Sequence, residues 1–476
     1  MGKYFSGLIR GDFFKGDKGV WMIYFFLCMI SLVEVYSASS RMTFDKTSHW
    51  GPMVSQAFFL FIGLGVIMIV HRIPCKWFML FPIVLYPLAL LLLVVTALGG
   101  GGGELNGTNR WMTIAGFSFQ PSEVAKAALI MSAAVILSKS QAEERKIVHG
   151  KEKIVVGATR GSRYRAFMVV GIMTMLMCGL IFADNISTAG MLFLVVAVMM
   201  FVAHVPVDLM LKGIGGLMAA GLLVGTFAMV MPDDTLSSIP GCKRLVTAKH
   251  RIYRMVGHDD LDAEAVKKQE AEDAKFFDMI REKYRPGSTE ESVAIAEYNK
   301  KKEIRELLGD KKSQETYAKV AVANSNVIGL GPGNSIQRDF LQHAESDFIF
   351  AIIIEELGMG GALFIIFLYM TLLIRVGRIA QKCQRFFPAY LVLGFGFMMV
   401  LQALVNMAVA VGAMPVTGQT LPLISKGGSS IIITSFYIGV ILSVSRYAEG
   451  AKAQKLQAQP TVEGETTEYL TDGTMA

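Results

Sequence analysis

The sequence predicts an all-α, polytopic membrane protein with ten transmembrane helices and one large extracytoplasmic loop. Of its 476 residues, 53% are hydrophobic and only 18% are charged, whereas soluble domains contain about 25% charged residues. Apolar stretches of about 20 residues, the length that crosses a bilayer, recur along the chain. Lys and Arg are concentrated in alternate connections between those stretches. Together these observations exclude an ordinary soluble domain.

The predicted spans follow the apolar stretches in chain order. The first resembles a cleaved signal peptide, because small residues follow it in "YSASS" at 36–40. Its apolar part is longer than a signal peptide needs and further spans follow it, so an uncleaved anchor is expected. The ten predicted spans are 20–38, 53–71, 77–98, 122–138, 166–183, 188–204, 212–231, 348–374, 387–412 and 428–445.

The short connections predict the orientation of the spans. Positive residues precede the first span and fill every second connection, and such positive charge is retained in the cytoplasm. Both termini are therefore expected in the cytoplasm. The same bias accounts for the formal net charge of +7, so no nucleic-acid partner is implied. Examples of these residues are Lys15, Lys18, Arg72, Lys76, Arg375 and Arg378.

The predicted organisation has five segments. The loop contains a charged insert near 245–315, whose Ala, Glu and Lys predict exposed helices. The 5 cysteines are scattered and give neither a disulfide framework nor zinc-ligand spacing. In order, the segments are a cytoplasmic N-terminus (1–19), spans one to seven (20–232), the large extracytoplasmic loop (233–346), spans eight to ten (347–447) and a disordered cytoplasmic tail (448–476).

Three segments on the predicted outer face carry more polar residues than connections between spans require. They are 99–130, 329–348 and 414–430. Their glycines and prolines predict irregular backbone, which membrane depth tolerates only inside protein or beside a wet cavity. We therefore expect the three segments to converge on one outward-facing cavity. The alternatives are that Arg110 and Trp111 only anchor the interface, and that Glu123 and Lys126 only pair along a helix.

Three acids stand at or inside the eighth predicted span, in "DFIFAIIIEELG". Carboxylates are costly in a membrane, by roughly 2.5–3.5 kcal/mol for an Asp at its centre on insertion scales. Asp347 lies at the edge of the span. The alternative is a capping role, in which Ser346 or Asp347 caps the N-terminus of that helix. Glu355 and Glu356 lie deeper and are interpreted as buried structural groups paired with donors from the bundle.

The same segments carry a resemblance to a known family. "NGTNRWMTIAGFSFQPSEVAKAALI", "GLGPGNSIQ" with "ESDFIFAIIIEELG", and "LPLISKGGSS" resemble the signature blocks of the SEDS family (shape, elongation, division and sporulation proteins). The likeness extends over nearly all of 15–447, apart from the charged insert. "LPLIS" favours the division branch of the family, although "PVTG" at 415–418 is also common in the elongation branch.

The resemblance implies a ten-span glycosyltransferase of the bacterial inner membrane. Such enzymes polymerise lipid II, the undecaprenyl-pyrophosphate-linked disaccharide-pentapeptide, into glycan strands. The implied partners are a class B penicillin-binding protein, which cross-links the strands, and other divisome proteins. By position, Asp347 matches the essential aspartate of the family. The residues that match its other blocks are Arg110, Trp111, Gln120, Glu123, Lys126, Glu355, Glu356, Ser425 and Ser429.

The chain departs from the family pattern at three places. "QHAESDF" stands where the family commonly has "PEAHTDF", which changes the position of the usual His. Lys426 replaces a Tyr that is usual in the last block. Asn185, in "ADNISTA", stands where an Asp is common.

The implied reaction needs a base and positive charge. A sugar hydroxyl is a poor nucleophile, and a general base contributes roughly 10²–10⁴-fold, a role for which Asp347 is the candidate. Arg110, Lys126 and Lys426 are the candidates for binding the pyrophosphate. No metal-binding motif is visible, so no dedicated metal cage is expected, although a divalent cation bridging phosphates is an option. The alternatives are a lipid II flippase, which needs access from both faces, and a scaffold that recruits partners through the charged insert.

Overall fold

The computed structural model describes residues 14–39, 50–97, 112–114, 117–141, 144–148, 151–155, 160–232, 311–341 and 344–457, with the single residues 235, 249 and 295. Over these residues it is a bundle of helices. The helices are α1 (Lys18–Ala38), α2 (Gly51–Val70), α3 (Phe81–Ala97), α4 (Pro121–Ser140), α5 (Arg160–Asp184), α6 (Ile186–Val202), α7 (Val207–Val230), α8 (Lys311–Ala323), α9 (Ile349–Lys382), α10 (Phe386–Ala410) and α11 (Gly428–Gln457).

A helix covers each of the ten predicted spans, and α8 lies in the predicted loop. Among the described residues, 8 helices are long and apolar enough to cross a membrane, with the short turn Trp77–Met79 counted as the start of α3. Helix α6 is apolar but shorter, with 17 residues. The multi-pass helical class is thus confirmed, while the count of ten stays a prediction. Most of the charged insert lies outside the described residues.

Two short hairpins depart from a purely helical fold. Strands β1 (Met112–Ile114) and β2 (Phe117–Phe119) pair antiparallel, as do β3 (Glu144–Val148) and β4 (Lys151–Val155). The hydroxyls of Thr113 and Ser118 lie 3.0 Å apart across the first hairpin. Strands of three to five residues give too few alternations for a sequence pattern, so neither hairpin was predicted.

Helix α4 lies at the centre of the bundle and positions one polar segment. It packs against α3, α5 and α10. Small buried side chains line it, and small residues let membrane helices approach closely. Helix α4 therefore approaches its neighbours closely. Its first turn lies near the start of α6, the start of α9 and the end of α10, and we call this region of the bundle the site end. The small residues are Ala125, Ala127, Ala128, Ala133 and Ala134.

Helix α9 is broken at Gly358, where φ is 69° and ψ is −173°. The groups freed by the break pair with the backbone of 326–331 instead of with water. Residues 359–382 alone would extend about 36 Å at about 1.5 Å per residue, enough to cross a membrane. The predicted span 348–374 is therefore a buried half-helix followed by a crossing helix. The pairings are Leu330 N–H to Glu355 O (3.0 Å), Gly331 to Glu356 (2.8 Å), Met359 to Asn326 (3.1 Å) and Gly360 to Val327 (3.2 Å).

We expect Gly358→Ala to destabilise the protein by about 2–4 kcal/mol. The backbone conformation at Gly358 is one that only glycine adopts readily, and a Cβ there would lie 2.4 Å from the carbonyl oxygen of Val327. Gly377→Ala is the matched control, because a Cβ at that α9 position meets nothing within 4 Å. Thermal unfolding in detergent compares the two. Equal melting temperatures would show that the break does not depend on this glycine.

Candidate active site

The segment 417–425 forms a buried platform of irregular backbone at the site end. Its carbonyl groups accept hydrogen bonds from side chains of several helices, which meets the requirement for non-helical backbone at membrane depth. These contacts fix the segment without regular secondary structure. They are Asn406 Nδ2 to Gln419 O (2.7 Å), Gln402 Nε2 to Thr420 O (3.0 Å), Tyr369 Oη to Pro422 O, Ser31 Oγ to Ile424 O (2.9 Å) and Gln56 Nε2 to Ser425 O (3.4 Å).

Asp347 is held beside this platform through its backbone. The Asp347 carbonyl accepts a hydrogen bond from Asn406 Nδ2 at 2.9 Å. The carbonyl of Ser346 accepts one from Ser425 Oγ at 2.6 Å, and the carbonyl of Glu345 accepts one from the Lys426 N–H at 2.8 Å. The Asp347 side chain itself is half-buried. Three consecutive backbone carbonyl groups, those of 345, 346 and 347, are therefore held in place. The Asp347 carboxylate keeps access to the surface.

The position of Asp347 bears on the capping alternative. Helix α9 begins at Ile349 with Phe348 as its N-cap residue, and Phe348 makes no side-chain capping hydrogen bond. Asp347 therefore precedes the cap position. Its Oδ1 accepts a hydrogen bond from Ser346 Oγ at 3.2 Å.

A buried ion pair connects the start of α4 to the same platform. Lys126 Nζ donates to Glu123 Oε1 at 2.7 Å and to Gln402 Oε1 at 2.9 Å, and Lys126 is 0% exposed. Gln402 and Asn406 lie four residues apart on α10, so they share one helix face. Gln402 thus connects Lys126 to 420, and Asn406 connects Asp347 to 419.

Glu355 and Glu356 are both 0% exposed, and they organise the loop before Asp347. Their carboxylates accept hydrogen bonds from the backbone N–H groups of 333, 335, 336 and 337, and such charge-assisted bonds are stronger than neutral ones. Donors therefore come mainly from the loop and only partly from the bundle. They are Gly333 N (3.0 Å) and Ser335 N (3.2 Å) with Ser37 Oγ to Glu356, and Ile336 N (3.2 Å) and Gln337 N (3.3 Å) with Ser335 Oγ to Glu355.

Glu355→Gln should reduce the yield of folded protein and lower stability by about 2–3 kcal/mol. An amide has one acceptor oxygen, so its NH₂ group would face backbone N–H donors of the loop. Protein that does fold should keep measurable activity. Fluorescence-detected size exclusion and activity per folded molecule give the two readouts, with Glu315→Gln on α8 as control. Normal yield with no activity would assign Glu355 to the chemistry instead.

The remaining candidates are distributed as follows. Arg110 and Trp111 lie outside the described residues, as does His343. Gln120 is the half-buried N-cap of α4, and Ser429 is buried at the start of α11. The Ser425 hydroxyl donates to the Ser346 carbonyl and accepts from the Leu421 N–H at 2.7 Å, so its one donor proton is used by the backbone.

Sequence reasoning missed several polar residues inside apolar helices. Gln402 and Asn406 stand in the span 387–412, and their intramembrane position was the available signal. Glu34 in α1 is a further buried acid, 0% exposed, whose carboxylate oxygens have no hydrogen-bond partner in the part of the chain described.

An apolar cavity of about 530 Å³ lies away from the site end. It is bounded by the start and middle of α5, the second half of α6 and the first half of α7. Phe167, Met175, Phe193, Met200 and Met210 are among its lining residues. Within the described ranges, no group of three His, Cys, Asp or Glu side chains is placed to hold a metal ion.

The fold and the site define a multi-pass membrane protein with a polar site buried where helix ends meet. The chain belongs to the cell cycle protein family of FtsW, RodA and SpoVE, whose model matches residues 18–256 and 292–450. The family resemblance is thereby confirmed. The internal gap between the two matched ranges, 257–291, falls inside the predicted charged insert.

Curated relatives cover almost the whole chain. "Probable peptidoglycan glycosyltransferase FtsW" of Halomonas elongata is 30% identical over 443 residues, which are 91% of this chain and 91% of the relative. The protein of the same name from Enterococcus hirae is 27% identical over 438 residues, 90% of this chain and 93% of the relative. The expected likeness to FtsW agrees with these names.

Solved structures share the fold. One is reported as "Structural coordination of polymerization and crosslinking by a peptidoglycan synthase complex"; the TM-score is 0.61 at 22% identity, over 91% of this chain and 98% of that chain. Another is the rod shape determining protein RodA of Thermus thermophilus, with a TM-score of 0.54 at 21% identity, over 90% of this chain and 97% of that chain.

Proposed function

We propose that this chain is a peptidoglycan glycosyltransferase that polymerises lipid II into glycan strands, in septal wall synthesis during cell division. Family membership and the FtsW names of the curated relatives support the activity. The observation that carries the chemistry is the placement of Asp347: a half-buried carboxylate on a backbone held by Asn406 and by Ser425 of the last polar segment.

In this proposal Asp347 is the general base. Its carboxylate takes the proton from the 4-hydroxyl of the acceptor sugar as that oxygen bonds to the anomeric carbon of the donor. The bond from that carbon to the pyrophosphate breaks, and the leaving group keeps the electron pair. A general base contributes roughly 10²–10⁴-fold, or about 3–5 kcal/mol of barrier. The hydrogen bond from Asn406 fixes where the carboxylate stands.

The pyrophosphate needs positive charge. Arg110 and Lys426 are the proposed contacts, with Trp111, Gln120 and Ser429 as further substrate-binding residues. Lys126 is fully enclosed by Glu123 and Gln402, so Lys126, Glu123 and Ser425 act by positioning the platform. A divalent cation would be held mainly by the phosphates themselves, since the described residues offer no cluster of ligands.

The proposed setting is the bacterial inner membrane, with both termini cytoplasmic and the site end outside. The proposed partner is a class B penicillin-binding protein, which the relation to a polymerising and crosslinking complex supports. Further divisome proteins would join the same assembly. The proposed contact surface for this partner is the large loop 233–346, most of which lies outside the described residues.

The polyprenyl chain of lipid II needs an apolar path. The cavity of about 530 Å³ between α5, α6 and α7 is large and apolar enough to hold part of it. The cavity is lined by the second half of α6, whereas α6 begins at the site end near Asp347. The polyprenyl chain would therefore have to run along the helices to reach the cavity.

The alternative function is a lipid II flippase or another transporter of lipid-linked substrates. A flippase needs polar groups reachable from both faces, whereas the converging motif residues described here lie at one end of the bundle. The test is a polymerisation assay with purified protein, with and without the class B partner, using labelled lipid II. We expect a ladder of glycan strands that increases with the partner. Absence of polymer under both conditions would contradict the proposal.

A further inference from the structure

A small polar cavity lies at the site end where α3, α4, α5 and α6 meet. Its volume of about 10 Å³ leaves room for one heavy atom of water size. Its lining combines apolar side chains with polar ones, Gln120 among them. The lining residues are Leu93, Thr96, Gln120, Pro121, Ser122, Ile181 and Asn185.

Two polar atoms of this lining have no hydrogen-bond partner among the residues that the structure describes. They are Asn185 Nδ2 and Ser122 Oγ, on residues that are 5% and 6% exposed. Buried polar groups are nearly always paired. The other amide atom of Asn185 is occupied, because Oδ1 caps α6 by accepting from the N–H groups of Ser187 (3.1 Å) and Thr188 (3.3 Å). Both unpaired groups therefore belong to residues that line the same cavity.

The chemistry of the two groups selects a neutral oxygen. An amide Nδ2 only donates, whereas a serine hydroxyl donates or accepts, so a hydroxyl group satisfies both at once. An anion is less suited, because the N–H groups of 187 and 188 are used by Asn185 and that of Glu123 by the Gln120 carbonyl at 3.0 Å. The Glu123 carboxylate also stands in the first turn of α4.

A short chain of hydrogen bonds ties this cavity to Asp347. Thr188 Oγ1 accepts from Gln419 Nε2 at 2.7 Å. The Gln419 carbonyl accepts from Asn406 Nδ2 at 2.7 Å, and Asn406 Nδ2 also donates to the Asp347 carbonyl at 2.9 Å. The cavity and Asp347 are therefore both held in position relative to the segment 417–425. A subsite needs such a fixed position relative to the reaction centre.

We propose that this cavity is a subsite for one non-reacting hydroxyl of the lipid-linked saccharide, bound between Ser122 and Asn185. The subsite rests on the proposed function. It sets how the sugar lies relative to Asp347, so Ser122 and Asn185 are substrate-binding residues and not catalytic ones.

The test uses two variants that keep the local backbone. Ser122→Ala removes one partner, and Asn185→Ser removes the amide while keeping an oxygen that caps helices well. Each should raise the KM for lipid II about 10-fold, with kcat within about 2-fold, because one hydrogen bond made in both ground and transition state is lost. Ser132→Ala is the control, since that hydroxyl bonds to the Ala128 carbonyl of its own helix at 2.7 Å.

Substrate analogues make the test independent of folding. We would test lipid II analogues that each lack one non-reacting sugar hydroxyl. For one of them, the KM of the wild-type protein should be about 10-fold higher than for lipid II, and the KM of Ser122→Ala for that analogue should be no higher than the wild-type value. Unchanged KM in both variants, with only a lower melting temperature, would show an ordered water only and overturn the subsite. No analogue with such non-additive behaviour would overturn it as well. A wild-type protein that makes no polymer would instead overturn the proposed function.

Discussion

Asp347→Asn should reduce glycan polymerisation at least about 10²-fold, the lower bound of what a general base contributes. Asparagine keeps the shape of the side chain, and the backbone contacts with Asn406 and Ser425 do not involve the carboxylate. The variant cannot accept the proton from the acceptor hydroxyl. Its membrane level and its binding to the partner should be normal. Glycan strands resolved on a gel from labelled lipid II measure the loss.

Asp339→Asn provides the matched control for this change. Asp339 lies in the same segment, and its half-exposed side chain lies 3.8 Å from Arg338 Nε. We expect it to polymerise at nearly the wild-type rate. Robust polymer from Asp347→Asn at equal protein amounts would remove the general-base assignment.

Lys126→Met should have the largest effect on stability, about 3–5 kcal/mol, the typical result of removing one partner of a buried pair. The change leaves the Glu123 carboxylate without its cation, although Glu123 is only 7% exposed. It also removes the donor to Gln402 Oε1. Folded yield and melting temperature in detergent report the effect.

Lys139→Met on the same helix is the control, because Lys139 is exposed in the last turn of α4. It should change the melting temperature little. If Lys126→Met folds normally and only raises the KM for lipid II, then Lys126 binds the pyrophosphate after all, and the positioning role is wrong.

The apolar spans could be placed from the sequence because lipid requires long apolar runs. The span predicted at 122–138 corresponds to Pro121–Ser140, for example. The break at Gly358 could not be placed, since it depends on backbone pairing with 326–331. Hydropathy is averaged over residues that are adjacent in sequence. The backbone groups that pair with those at the break lie in a different segment, 326–331.

The sequence indicated several polar residues of the candidate site, but not the hydrogen bonds that connect them. Asp347, Lys126 and Ser425 were recognisable as polar residues at predicted membrane edges. Gln402 and Asn406 were not, because the apolar residues around them dominate the pattern of α10. Asn185 looked like a departure from a family motif, whereas the structure shows it capping α6 beside a cavity.

The most direct measurement follows lipid II in proteoliposomes that contain the purified protein and its class B partner, recording polymer formation and translocation in the same sample. If the protein is a polymerase, the wild-type protein forms polymer, Asp347→Asn forms at least about 10²-fold less, and translocation is no faster than in protein-free vesicles. Translocation accelerated by both proteins, with polymer from neither, would contradict the polymerase function and assign the chain to transport.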